Sequence, residues 1–103
     1  MATDQYHESA SDLTEETKDV ARVITSMIEE AEAINWYEQR IAASKDEEVK
    51  GIIRHSQEEE MEHFAIELAW LVRKFPKWKE VLEAVLFKEG DILENVEEWE
   101  EKE

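Results

Sequence analysis

Apolar residues recur at three- and four-residue steps along most of this chain, and helix breakers are scarce, with two Gly and one Pro in 103 residues. That spacing predicts an all-α fold with no strand. Residues 1–11 are polar apart from isolated positions such as Tyr6 and are expected to be disordered before Asp12 or Thr14 caps a first helix. That helix is predicted to run to about Ala43. Ser44, Lys45, Asp46 and Glu47 combine a turn with a Ser-x-x-Glu capping box, which opens a second helix reaching about Lys74. Pro76 suits the first turn of a shorter third helix carrying Trp78, Val81, Leu82, Val85 and Leu86, and Gly90 is expected to end it. Asp91 is placed to cap a last segment with Ile92, Leu93, Val96 and Trp99, and residues 97–103 read as a frayed acidic tail. The expectation is one domain over 1–103, a long antiparallel helical hairpin followed by short C-terminal helices.

Two carboxylates interrupt this pattern. Projected at roughly 100° per residue, Val23, Met27, Ile34, Tyr37 and Ile41 fall within about 60° of Glu30 on the first helix. On the second, Val49, Ile53, Phe64, Leu71 and Phe75 fall within about 60° of Glu60, with His63 roughly 60° to its other side. Neither Arg40 nor Arg54 shares the buried arc, so no basic side chain is placed to neutralise either Glu. An ionised carboxylate packed without a partner costs at least several kcal/mol, and a divalent cation would remove that cost. A turn centred near Lys45 leaves Glu30 and Glu60 fifteen residues away on either side, each roughly 22 Å from the turn at 1.5 Å per residue. They are expected to face each other, with His63 one helical step beyond.

A ferritin-like di-metal bundle takes one Glu from each of two helices and a Glu-x-x-His from each of the other two. This chain holds one of each, Glu30 and the Glu60/His63 pair in EEEMEH. Half of a four-helix bundle is therefore expected, completed by a second copy across a two-fold axis. Oxygen and imidazole donors suit iron or manganese, and zinc is possible.

Composition narrows the alternatives. Twelve Lys and Arg stand against 28 Asp and Glu, a formal charge of −16 that repels phosphate backbones, so nucleic acid is not an expected partner. With no cysteine, disulfides, iron–sulfur clusters and thiol catalysis are excluded, and any metal must be held by oxygen and imidazole. No apolar run approaches the roughly 20 residues that span a bilayer, and MATDQYHESASD has no signal-peptide pattern, so a cytoplasmic protein is expected.

A second acidic cluster, Glu29 and Glu32 with Trp36, projects roughly 100–160° away from Glu30. It reads either as a solvated face or as a cation entrance. Tyr37 is placed to orient a ligating carboxylate through its hydroxyl or simply to pack. Glu67 projects only about 20° from Glu60 and one turn beyond His63, as a further ligand or a base for the histidine. Glu58, Glu59 and Glu62 read as solvated, and His55 and His7 have no comparable carboxylate geometry. Among 28 acidic residues a Glu-x-x-His pair also arises by chance. A non-catalytic acidic helical scaffold or adaptor, and a di-manganese or other di-metal carboxylate protein, are therefore the alternatives to iron chemistry.

The run MIEEAEAINWYEQRIAASKDEEVKGIIRHSQEEEMEHFAIELAWL, with LFKEG after the third helix, resembles the encapsulated ferritins, short ferritin-like proteins housed inside encapsulin compartments. The likeness covers most of residues 13–90. It implies a ferroxidase that oxidises iron(II) to iron(III) at a di-iron centre between two subunits, with Glu30, Glu60 and His63 as ligands and Tyr37 and Trp36 as neighbours. Glu29 and Glu32 take the part of a metal-entrance site. It further implies two irons per dimer, one per chain, with calcium, manganese or zinc as substitutes, and a two-fold dimer assembling into a ring-shaped decamer. The implied partner is the encapsulin shell protein and the implied location a cytoplasmic nanocompartment. Members of that family end in a short targeting peptide, whereas this sequence stops at EWEEKE.

Overall fold

The computed structural model describes residues 5–102; of the disorder expected over residues 1–11, the part at 1–4 lies outside it, as does the state of Glu103. After a 3-10 turn at Ala10–Asp12 come α1 (Glu15–Ala43), α2 (Glu47–Lys74), α3 (Pro76–Val85) and α4 (Ile92–Lys102). Among the described residues there is no strand. The chain divides into two compact units whose border, Ala69/Trp70, falls inside α2.

The first unit is the hairpin of α1 and α2. Thr14 caps α1 by accepting from Thr17 N at 3.1 Å, and the helix then runs 29 residues without Gly or Pro. The loop is three residues long, and its cap differs from the expected Ser44–Glu47 box. Asp46 is the residue whose Oδ1 accepts from Glu48 N at 2.9 Å and from Val49 N at 3.0 Å. Ser44 Oγ instead accepts from Asp46 N at 3.2 Å, tightening the turn. An ionised carboxylate at the positive end of a helix outcompetes a hydroxyl for those amides.

Met27 and Ile41 of the expected stripe of α1 are buried. On α2 the predicted stripe is only partly buried, since Val49 in the first turn and Phe75 after the last are exposed. Two positions between them are fully covered, Leu71 of the stripe at 1% exposed and the polar Gln57 at 4%. Gln57 Nε2 donates to Ile34 O at 3.2 Å and to Glu38 Oε1 at 2.9 Å, which ties α2 to α1 one turn before Glu60. Both bonds form in a place shielded from water, where satisfied polar groups specify one register. Gln57→Ala is expected to cost about 2–3 kcal/mol, by opening a cavity and leaving Ile34 O without its side-chain donor, read as a lower thermal unfolding midpoint.

In the second unit Pro76 occupies the first turn of α3, as expected. The helix ends at Val85, not at Gly90: Leu86 N donates to Leu82 O at 2.8 Å, and Phe87 then adopts a left-handed φ of 59°. Gly90, at φ 93°, instead serves the loop before α4, a conformation that glycine takes without Cβ strain. Asp91 caps α4 through Glu94 N at 3.0 Å. Residues 97–102, expected as a frayed tail, are the second half of α4. Lys77 lies 4.9 Å above the Trp99 ring, a cation–π contact that ties α4 to α3.

Candidate metal centre

Equal rise from the short loop brings Glu30 of α1 opposite Glu60 and His63 of α2. One donor atom from each lies within 4.8 Å of the other two. His63 Nδ1 is 3.8 Å from Glu30 Oε1 and 3.7 Å from Glu60 Oε2. These gaps exceed a hydrogen bond of about 2.7–3.2 Å. They match the roughly 3–4 Å between ligand atoms that each stand about 2.1 Å from a shared cation.

The three side chains differ in exposure, 15% for Glu30, 25% for Glu60 and 51% for His63. The cluster therefore opens outward from an interior carboxylate to an imidazole at the hairpin surface. Glu30 pays the electrostatic cost of this depth. Burial first, then the Glu67 carboxyl, push its pKa up to about 7, with Glu60 adding to the rise and His63 opposing it. Oε2 of Glu30 and Oε2 of Glu67 are both sealed from solvent with no hydrogen-bond donor among the described residues. Orphaned anionic oxygens beside an imidazole form a donor set fitted to a divalent cation.

The other expected site residues lie elsewhere. Glu29 is exposed, Glu32 is half-buried, and neither joins the Glu30 cluster. Trp36 is 51% exposed and borders a shallow groove with Gln39, Arg40 and Ala43. Tyr37 is half-buried beneath Arg40, whose guanidinium carbon is 5.4 Å from the ring centroid. Among the described residues its hydroxyl makes no hydrogen bond to Glu30 or Glu60. Glu58, Glu59 and Glu62 are exposed, and His55, read from the sequence as lacking carboxylate geometry, pairs with Glu59 at 3.3 Å on the solvated face. Sequence reasoning missed Gln57. Its one signal was a polar residue three positions before Glu60 on the same helix.

A helical hairpin with a Glu on one helix and a Glu-x-x-His on the other is the repeating half of ferritin-like carboxylate proteins. The family model described as EncFtn-like matches residues 5–89, and the chain belongs to that family. It is 47% identical over 95 residues to a ferritin-like protein of Thermotoga maritima, covering 92% of this chain and 83% of that one. It is 45% identical over 92 residues to an encapsulated ferritin-like protein of Rhodospirillum rubrum, covering 89% of this chain but 66% of the relative's length. The crystal structure of protein ne0167 from Nitrosomonas europaea superposes with a TM-score of 0.81 at 42% identity, over 86% of this chain and 98% of that one. No helix among the described residues is long and apolar enough to cross a membrane.

Proposed function

We infer that this protein is a ferroxidase whose centre is completed by a second copy of the chain. The observation that carries the reading is the Glu30, Glu60 and His63 cluster, with donor atoms within 4.8 Å of one another and one sealed Glu30 oxygen lacking any donor among the described residues. Each hairpin contributes one Glu and one Glu-x-x-His, so a two-fold pair of hairpins contributes the full set of a di-metal bundle. The 51% exposure of His63 leaves room for a facing subunit, and among the described residues of α1 and α2 the fully buried apolar side chains are Met27, Ile41 and Leu71.

Iron(II) is the substrate. Two ions, one per chain, bind between the paired hairpins, and their two electrons with two protons reduce one dioxygen to hydrogen peroxide. Bridging carboxylates offset the charge gained at each iron, and imidazole supports both oxidation states. Glu29 and Glu32 draw cations toward the centre through the negative field of a chain with formal charge −16. Tyr37 and Trp36 are taken as neighbours of the di-iron centre. Iron(III) then passes on for storage in an encapsulin compartment in the cytoplasm, with a decameric ring as the assembly; the name of the Rhodospirillum rubrum relative, an encapsulated ferritin-like protein, supports the compartment alone.

Anaerobic titration with iron(II), followed by metal analysis, native mass spectrometry and admission of oxygen, tests this directly. One iron per chain in an even-numbered assembly is expected, with iron(III) forming in the wild type and not in Glu60→Ala or His63→Ala. Binding that stays weaker than low micromolar, or oxidation that survives both substitutions, overturns the ferroxidase.

A further inference from the structure

Among the described residues of the hairpin unit, Gln57 is the only fully buried residue that α2 contributes, and it is polar. The apolar residues fully buried in that unit, Met27 and Ile41, both belong to α1. Apolar contact is non-directional and lets one helix slide along another, whereas a hydrogen bond holds donor and acceptor within a narrow range of distance and angle. The lengthwise position of α2 against α1 is therefore set most sharply by the Gln57 amide, through its bonds to Ile34 O and Glu38 Oε1. Ile34 lies four residues from Glu30 and Gln57 three from Glu60, both toward the loop. The amide thus fixes the helical layer adjoining the metal centre.

The three residues of the centre depend on this register unequally. Glu60 and His63 share α2, so their 3.7 Å approach survives any sliding of the two helices. Glu30 stands on α1, and its 3.8 Å approach to His63 does not. A slip of one residue moves facing positions by about 1.5 Å along the axis, enough to break a set of donor atoms grouped within 4.8 Å. We propose that Gln57 is a positioning residue of the metal centre, whose amide, bonded to α1, holds the register that brings Glu30 to the Glu60/His63 pair. It touches no metal and acts through Glu30 alone. Loss of its N–H donors releases Glu30 and leaves the two ligands of α2 together. The assignment rests on the metal-centre reading and adds no ligand to it.

Cobalt(II) is a suitable probe because its d–d absorption reports ligand number and symmetry. The full chain is titrated anaerobically as wild type, Gln57→Met, Glu30→Ala and the double variant. Methionine is unbranched like glutamine and fills the buried site without an N–H donor. The proposal expects at least about tenfold weaker cobalt binding in Gln57→Met, with far-UV circular dichroism preserved and the d–d band altered in the same sense as in Glu30→Ala. The double variant is expected to bind within about twofold of Glu30→Ala alone, since a residue that acts only through Glu30 has nothing further to lose. A Gln57→Met affinity within about twofold of wild type with an unchanged band overturns the positioning role and leaves the metal centre standing, as do losses that multiply in the double variant. Failure of the wild type to bind cobalt or iron overturns the metal centre, and the positioning role with it. If Gln57→Met does not fold, Glu38→Ala decides, because it removes one acceptor of the Gln57 amide from an exposed position. Weaker cobalt binding with an altered band then supports the role, and an unchanged affinity and band overturn it.

Discussion

Glu30→Gln is expected to abolish rapid iron(II) oxidation while making the metal-free protein more stable, two effects of opposite sign from one atom change. Loss of an outer partner of a metal ligand already costs roughly 10–100-fold, so loss of Glu30, proposed above as a ligand and lying beside His63, is expected to cost at least about 100-fold in initial rate. Stability moves the other way for a reason visible in the burial. The Glu30 carboxyl is 15% exposed, and its inner oxygen has no donor among the described residues. A glutamine there carries no charge to desolvate and offers an N–H to the orphaned Glu67 oxygen, which stabilises the metal-free hairpin by about 1–3 kcal/mol at pH 8. Thermal unfolding in the presence of chelator, paired with stopped-flow oxidation, reads both. A Glu30→Gln protein that is less stable than wild type without metal contradicts the account of a strained carboxylate pair.

The second large effect is a pH dependence. Glu30 has its pKa raised from 4.5 to about 7, so the folded state holds that proton more tightly than the unfolded chain does. Its contribution to stability is therefore complete below about pH 4.5 and is lost as pH rises through about 7. The full span is on the order of 3 kcal/mol, little reduced by screening at a side chain with 15% exposure. Binding of a cation must expel the same proton, so affinity for iron(II) or manganese(II) climbs up to about tenfold per pH unit below 7 and levels off above it. Melting curves between pH 5 and 8, with chelator or with manganese(II), follow both trends. Other carboxylates in a chain of formal charge −16 also repel one another as pH rises, and Glu30→Gln isolates the contribution of this one group. Identical slopes for wild type and Glu30→Gln would remove Glu30 as the source.

Much of this arrangement is legible in the sequence because it is local. Helical period and capping are properties of a few consecutive residues, which is why α1 from Thr14 to Ala43 and the Pro76 start of α3 follow from the residues themselves. The equal height of Glu30 and Glu60 is nearly as local, since it needs only the rise per residue and a short turn. By itself the sequence therefore determined an all-α hairpin with a carboxylate on each arm and a histidine beside one of them.

What it left open are choices between near-equivalent positions. Glu60 and Glu67 point within about 20° of each other on α2, so angle alone cannot say which meets Glu30 with an open side and which meets it in the dry interior. Only the lateral packing of two helices decides that, and it leaves Glu67 Oε2 sealed while Glu60 stays 25% exposed near the open imidazole. Gln57 is the same kind of case, a polar residue whose burial depends on Ile34 O and Glu38 arriving from the other arm. Asp46 over Ser44 as the cap of α2 was settled by loop geometry, where the stronger charge–dipole contact prevailed. Depth, and with it the raised pKa of Glu30, belongs to the tertiary structure alone, because desolvation is set by every neighbour that excludes water and not by any spacing along the chain.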